Sequence, residues 1–350
     1  MAPRRVLVLG GTGFLGSHVV RAFLAAGDEV VAAARAGSSR ALLDDLAIEV
    51  LAADLQDPDA LLAACRGRDL VVHAAGLLSL WERDKEQLYA VNVRGTRNVV
   101  EACLRAGVGR LLYDGSVGAL AGTPSPVPVD ERGADDATRL HSFHTVSMCL
   151  AEAVVLRGVA RGLDAVILHP TLCFGEGDRS QHSSWVLIGL TQARLAVCPP
   201  GGLNAVDIQD VARAHVAAAE RGRRGAAYLL GGENLTNQAF LDLLQEVLAR
   251  RGVTVHLSRG GARALGAAVE TLARLQGADH GGWVTFNRAL SQAMSLYWFV
   301  DDRRAREELG YVTGPVRPAI ERQVAWLRAQ GHLGDGFDPL GFARRFLGGR

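Results

Sequence analysis

Near one end of the chain, Val6-Leu-Val-Leu-Gly10-Gly-Thr12-Gly13-Phe14-Leu15-Gly16-Ser-His reads as a strand, a glycine turn and the start of a helix. Glycine lets backbone turn tightly and approach a diphosphate, and the following helix presents its positive end to that charge. Gly10, Thr12, Gly13, Phe14, Leu15 and Gly16 are therefore expected on the pyrophosphate of a dinucleotide. The strand before and the helix after them set the pattern apart from a plain glycine loop. The next apolar run ends Ala34-Arg35, where selectivity for an unphosphorylated ribose calls for a carboxylate. Arg35 offers a guanidinium to a 2′-phosphate, with Arg40 as a second contact, so the expected cofactor is NADP(H). The alternative for Arg35 is an ordinary surface arginine. Asp54 ends the third run near an adenine amino group, and Ala74, Ala75 and Gly76 after the fourth are small enough to pass close to the cofactor.

The elements that must hold these residues follow from apolar patterning. Short runs at 6–9, 30–34, 49–52, 70–73, 111–114 and 165–168 alternate with helix-length stretches at 16–26, 58–65, 85–106 and 141–161. That alternation predicts an α/β fold, a doubly wound parallel sheet of the Rossmann kind. After Pro170 turn-rich segments interrupt the alternation; a return strand is expected at 228–230 and helices at 234–250, 263–275, 286–297 and 318–329. The reading is thus a nucleotide-binding domain over 1–172, with return segments near 203–232, and a smaller, mainly helical substrate lobe over 173–350.

Thirty-eight basic residues against thirty-seven acidic ones leave a net charge of +1, so no global field favours nucleic acid or an anionic membrane, and a small-molecule partner is expected. The cysteines, Cys65, Cys103, Cys149, Cys173 and Cys198, form no CxxC pair and read as reduced core residues, with no metal site expected. No run of about 18 apolar residues and no leader pattern is evident, which suggests a cytoplasmic protein. Lys85 is the only lysine in the chain.

The glycine turn, Asp54-Leu55, Tyr89-Ala-Val-Asn92-Val-Arg-Gly-Thr96, Ser116, His169-Pro170-Thr171 and Val206-Asp-Ile-Gln-Asp210 together resemble the extended short-chain dehydrogenases/reductases. The dihydroflavonol-reductase-like and sugar-epimerase-like branches are nearest, and the resemblance covers nearly the whole chain. It implies that Asp54 and Leu55 flank adenine, that Asn92 lies among the cofactor positions, that Ser116 sits beside the reacting carbonyl, and that Pro170 begins the segment under nicotinamide. The family carries Tyr-x-x-x-Lys on the helix after the serine strand. Here the matching stretch is His144-Thr-Val-Ser147-Met148-Cys-Leu-Ala151-Glu152, so His144 replaces the tyrosine and Met148 takes the lysine's place against the cofactor.

Tyrosine gives a proton to the alkoxide formed as hydride arrives, and lysine lowers the tyrosine pKa. Methionine supplies neither charge nor donor. His144 is a candidate acid, since imidazole titrates near neutrality, or else a residue that fills the vacated volume. His141 is expected to face solvent. Ser116 is expected to polarise the carbonyl, and Asp114, at a strand end, to cap backbone. A ketone already hydrogen-bonded to a neighbouring phenol supplies its own proton, leaving the protein to orient hydride donor and acceptor. Trp81, Trp185, Trp283 and Trp298 suit a large planar aromatic ketone, or are core packing. Lack of the tyrosine and lysine resembles the atypical ketoreductases of angucyclinone pathways. The rival readings are a catalytically silent nucleotide sensor and an epimerase or dehydratase.

Overall fold

The computed structural model describes residues 2–79, 81–120, 122–133, 142–179, 183–192, 195–249, 253–275 and 287–333. In chain order the first part holds β1 (Arg5–Leu9), α1 (Phe14–Ala25), β2 (Glu29–Ala34), β3 (Val50–Ala52), α2 (Pro58–Cys65) and β4 (Leu70–His73). Then come α3 (Lys85–Leu88), a π-helical stretch Tyr89–Gly95, α4 (Thr96–Ala106), β5 (Arg110–Asp114), α5 (Phe143–Ala160) and β6 (Ala165–Pro170). The remainder is β7 (Leu172–Phe174), α6 (Ser184–Gln192), β8 (Leu195–Cys198), β9 (Gly202–Asp207), α7 (Ile208–Arg221), β10 (Ala227–Leu230), β11 (Glu233–Thr236), α8 (Asn237–Val247), β12 (Val253–His256), α9 (Arg259–Leu275), α10 (Arg288–Met294) and α11 (Arg317–Ala329).

Seven strands in the order β10-β6-β5-β4-β1-β2-β3 form one sheet, every neighbouring pair parallel. The runs are Val-, Leu- and Ala-rich on both faces because helices cover both. Leu7, Val71, Leu111 and Ile167 face a cluster with α2, α4 and α5, while Val6, Val72, Leu112 and Leu168 face one with α1 and α7. The chain leaves β3 and returns to β4 on the far side of β1, so strand order reverses between β1 and β4. A crevice opens at such a reversal, beyond the carboxyl ends of the strands, and ligands of doubly wound sheets sit there.

The expected C-terminal helices are present, but so are two small sheets, β11-β9-β7 and β12-β8. The helix expected from residue 234 starts only at Asn237. Glu233–Thr236 pairs antiparallel with β9 instead, and the Thr236 hydroxyl accepts from the Ala239 amide to cap α8. Helix α7, absent from the sequence-based list, begins where the Asp207 carboxylate accepts from the Gln209 amide. Helix α5 is long and apolar enough, by length and composition, to cross a membrane, although Glu152 and Arg157 interrupt its apolar run. Its Ala151 and Val155 are fully buried against the sheet. Among the described residues no cluster of histidine, cysteine and carboxylate side chains is arranged to hold a metal.

Candidate functional site: a nucleotide cradle and a serine turn

At the reversal point Gly10 adopts φ +81°, and a Cβ there would stand 2.9 Å from the backbone of Ala75. Its amide donates to the Ala33 carbonyl at 2.8 Å, and the Gly13 amide donates to Gly10 O at 2.9 Å. The turn is thereby pressed between β2 and the Ala74-Ala75-Gly76 segment, and only glycine fits. Gly13 caps α1 without any side-chain hydrogen bond. The amides of Phe14, Leu15 and Gly16 in the first turn are beyond the reach of intrahelical acceptors, at the positive end of the helix. Thr12 and Leu15 are half-buried beside the exposed Gly13. This cradle fits a dinucleotide pyrophosphate.

Beyond the ends of β2 and β3 lies a cavity of about 620 Å³ lined by Arg35, Ala36, Gly37, Ser38, Ala53, Asp54 and other residues. Arg35 and Asp54 thus line the same cavity, with one Asp54 oxygen accepting from the Gln56 amide at 2.8 Å. Leu55 is buried, its side chain against Gly95. Arg40 is not among the lining residues; its guanidinium donates to the Val50 carbonyl at 3.3 Å.

The other end of the crevice is built by β5, β6 and α5. Ser116, just past β5, accepts from the Gly118 amide at 3.1 Å and so caps the short turn Val117–Ala119. Among the described residues no acceptor takes the Ser116 hydroxyl proton, which leaves it free to donate. The first turns of α5 pack on this serine turn, and the Cys149 thiol points to the Ala119 carbonyl at 3.8 Å. His144 is buried in the first turn of α5, and Pro170 closes β6, paired with Leu230. The loop after the serine turn is stitched to the C-terminal segment. Thr123 and Tyr297 exchange backbone hydrogen bonds at 3.0 and 2.8 Å, Val129 donates to Phe299 and Asp301 donates back to Val129.

Two of the residues expected on the cofactor also hold parts of the chain together. The Asn92 amide donates to Leu77 O at 3.0 Å and Ser147 Oγ at 2.9 Å, and its carbonyl accepts from Leu77 N at 2.8 Å. Asn92 therefore ties the chain after β4 to α5. Met148 is buried in the apolar cluster with Tyr113, Ala119 and Ala151; a thioether there gains by packing, where the family's ammonium would need a polar partner. Trp298 lies over Gly122, donates from Nε1 to Ala293 O at 2.9 Å and packs with Leu120 and Val300. The guanidinium of Arg83 lies 5.4 Å from the Trp81 ring, Trp185 is half-buried on α6, and Trp283 and His141 lie outside the described residues. A second cavity, about 320 Å³, is lined by Cys198, Pro199, Thr236, His256 and Tyr297 among others. Neither cavity is lined by a tryptophan.

Several buried groups escaped the sequence reading. Asp114 does not cap backbone: its Oδ1 lies 2.7 Å from Nε2 of His215 on α7. Nδ1 of that ring faces the Val211 carbonyl at 2.8 Å. Both ring nitrogens meet oxygen acceptors, an arrangement that favours the doubly protonated imidazole. Its pKa is raised, burial pulling it down and the Asp114 carboxylate outweighing that. His73 at the end of β4 is buried with Nε2 3.0 Å from Thr96 Oγ1, and burial pushes its pKa down to about 4. His169 on β6 lies beside Ser116 and Glu152. No local pattern announces such partners, since Asp114 and His215 are far apart in sequence and meet only through the α7 packing.

A doubly wound sheet with an uncapped glycine cradle at its reversal point and a serine turn across the crevice defines a nucleotide-binding enzyme of the extended short-chain dehydrogenase/reductase type. The model of the NAD dependent epimerase/dehydratase family matches residues 6–231, and the chain belongs to that family. It is similar to sterol demethylase protein B of Methylococcus capsulatus, 32% identical over 93% of this chain and 99% of the relative. A 4-hydroxy-2-methyl-3-oxo-4-farnesyl-3,4-dihydroquinoline-1-oxide ketoreductase of Stigmatella aurantiaca is 26% identical, covering 96% of this chain and 99% of its own. Among solved structures, a nucleoside-diphosphate-sugar epimerase from Pseudomonas aeruginosa superimposes with TM-score 0.78 at 29% identity, over 95% of this chain and 100% of that one.

Proposed function

We propose that this oxidoreductase is an NADPH-dependent ketoreductase that reduces a ketone of an aromatic polyketide, angucyclinone-like and of the simocyclinone type, to a secondary alcohol in antibiotic biosynthesis. The observation that carries the reading is Ser116: its hydroxyl accepts from Gly118 and keeps its own proton for a carbonyl oxygen, beside a helix that has lost both tyrosine and lysine. Arg35 at the ribose end of the cavity supports the phosphorylated cofactor, and the ketoreductase relative that acts on a fused-ring ketone supports the substrate class.

A bound nicotinamide dinucleotide supplies the hydride. Ser116 donates to the ketone oxygen and orients it, and the proton that completes the alcohol comes from the substrate's own phenol, from water or from His144. Orientation alone supplies much of the rate, up to about 7–11 kcal/mol of barrier in well-aligned systems. Positions 1–172 form the nucleotide-binding domain in this reading, 173–350 the substrate lobe. The protein works in the cytoplasm on a planar aromatic ketone as its small-molecule partner, with neither nucleic acid nor membrane as partner.

The test is anaerobic mixing with NADPH and hydroxylated anthraquinone or angucyclinone ketones, followed at the nicotinamide absorbance. Oxidation of NADPH with alcohol formation is expected. Tight dinucleotide binding with no turnover of any ketone overturns the reading in favour of a silent sensor, which the apolar packing of Met148 favours.

A further inference from the structure

We infer that His169 is the positioning residue of the serine turn, acting through the backbone on either side of Ser116; the inference rests on the ketoreductase reading only for its kinetic arm. His169 is fully buried near the end of β6, and its Nδ1 lies 3.2 Å from the Ser116 carbonyl oxygen. A carbonyl can only accept, so Nδ1 carries the proton and donates. Nε2 lies 3.4 Å from the Glu152 carboxylate on α5 without a hydrogen bond, so Nδ1 is the ring's one hydrogen-bonded nitrogen among the described residues.

The ring has room because the residue before the serine has no side chain. A Cβ on Gly115 would stand 2.6 Å from His169 Nδ1 and 2.7 Å from Cε1. The Gly115 amide is meanwhile fixed on the Leu168 carbonyl at 2.7 Å. Glycine at 115 and histidine at 169 are therefore a matched pair: the absent side chain admits the ring, and the ring fixes the carbonyl that leads into the turn. The Ser116 hydroxyl is aimed from both ends, by His169 on its own carbonyl and by the Gly118 amide on Oγ. With no tyrosine sharing the substrate oxygen, the direction of this one hydroxyl matters more than it would beside a second donor.

The test compares His169→Leu, which removes the donor, with His169→Asn, whose amide nitrogen stands near the Nδ1 position. His169→Leu is expected to lower kcat by about 10- to 100-fold, the range for a misplaced polarising group, with the KM for NADPH within about twofold; His169→Asn is expected to restore most of kcat. Gly115→Ala should slow the wild type and add little further loss beside His169→Ala, which vacates the space the ring fills. If Ser116→Ala slows turnover while His169→Leu does not, or if Asn rescues nothing, the inference is overturned and the ketoreductase reading stands. If Ser116→Ala changes nothing, it is the ketoreductase reading that fails. Crystal structures decide independently of activity: Ser116 Oγ is expected to shift in His169→Leu and return in His169→Asn, and an unmoved hydroxyl in His169→Leu overturns the inference even if no ketone is turned over.

Discussion

Two buried histidines on opposite faces of the sheet should give the folding stability of this protein a maximum near neutral pH. His73 is 1% exposed and its pKa is pushed down to about 4 by burial, whereas an unfolded histidine titrates at about 6.5. Below pH 6.5 the unfolded chain therefore binds a proton that the folded chain refuses. Stability is whole above that pH and falls with acidification by about 1.4 kcal/mol per unit. That amounts to about 2 kcal/mol by pH 5 and about 3 kcal/mol when the folded pKa is reached. His18, buried against the Glu176 carbonyl, has a lowered pKa from burial and adds in the same direction. His215 works the other way. Its folded pKa is raised by Asp114, so its contribution is complete below about 6.5 and is lost as pH rises through the folded value. Urea unfolding at intervals between about pH 5 and 8, above the range in which carboxylates protonate, measures both limbs. His73→Gln, which keeps a partner for Thr96, should shallow the acid limb and leave the alkaline one. Identical slopes for wild type and His73→Gln between pH 6.5 and 5 would refute the burial argument.

His215→Leu leaves the Asp114 carboxylate buried and uncompensated, and should cost about 3–5 kcal/mol in urea unfolding; pairing it with Asp114→Asn should recover much of that loss. Arg35→Ser should raise the KM for NADPH by about 10- to 100-fold, the worth of one or two charge-assisted hydrogen bonds, while the KM for NADH moves little. Equal changes for both cofactors would mean that Arg35 touches no phosphate. His144→Phe separates acid from filler: a kcat within about threefold of wild type assigns the proton to substrate or water, and a loss of about a hundredfold or more assigns it to the imidazole.

The parts legible in sequence were those written in neighbouring residues. Strand β4 and helix α2 occupy the expected spans, because an apolar run between turns and a proline-led helix are local signals. The glycine cradle was legible for the same reason, since each glycine answers to atoms within its own βαβ unit or the next. The lobe after Pro170 was read as mainly helical because its strands are short and its pairings distant. Asn234 looked like a helix start, yet its side chain is committed to Asn204 and the Val300 backbone. The site's hidden support was out of reach for the same reason. Only the fold shows the His169 ring standing where a side chain at position 115 would lie.

The stitching of the loop after Ser116 to Tyr297–Asp301 makes one wall of the crevice from two remote stretches of chain. Variation in the late segment is thereby transmitted to the mouth of the reactive end without touching the nucleotide cradle. Substitutions at Tyr297 or Phe299 would thus act on the loop beyond Ser116 through paired backbone, at a distance in sequence from the glycine turn.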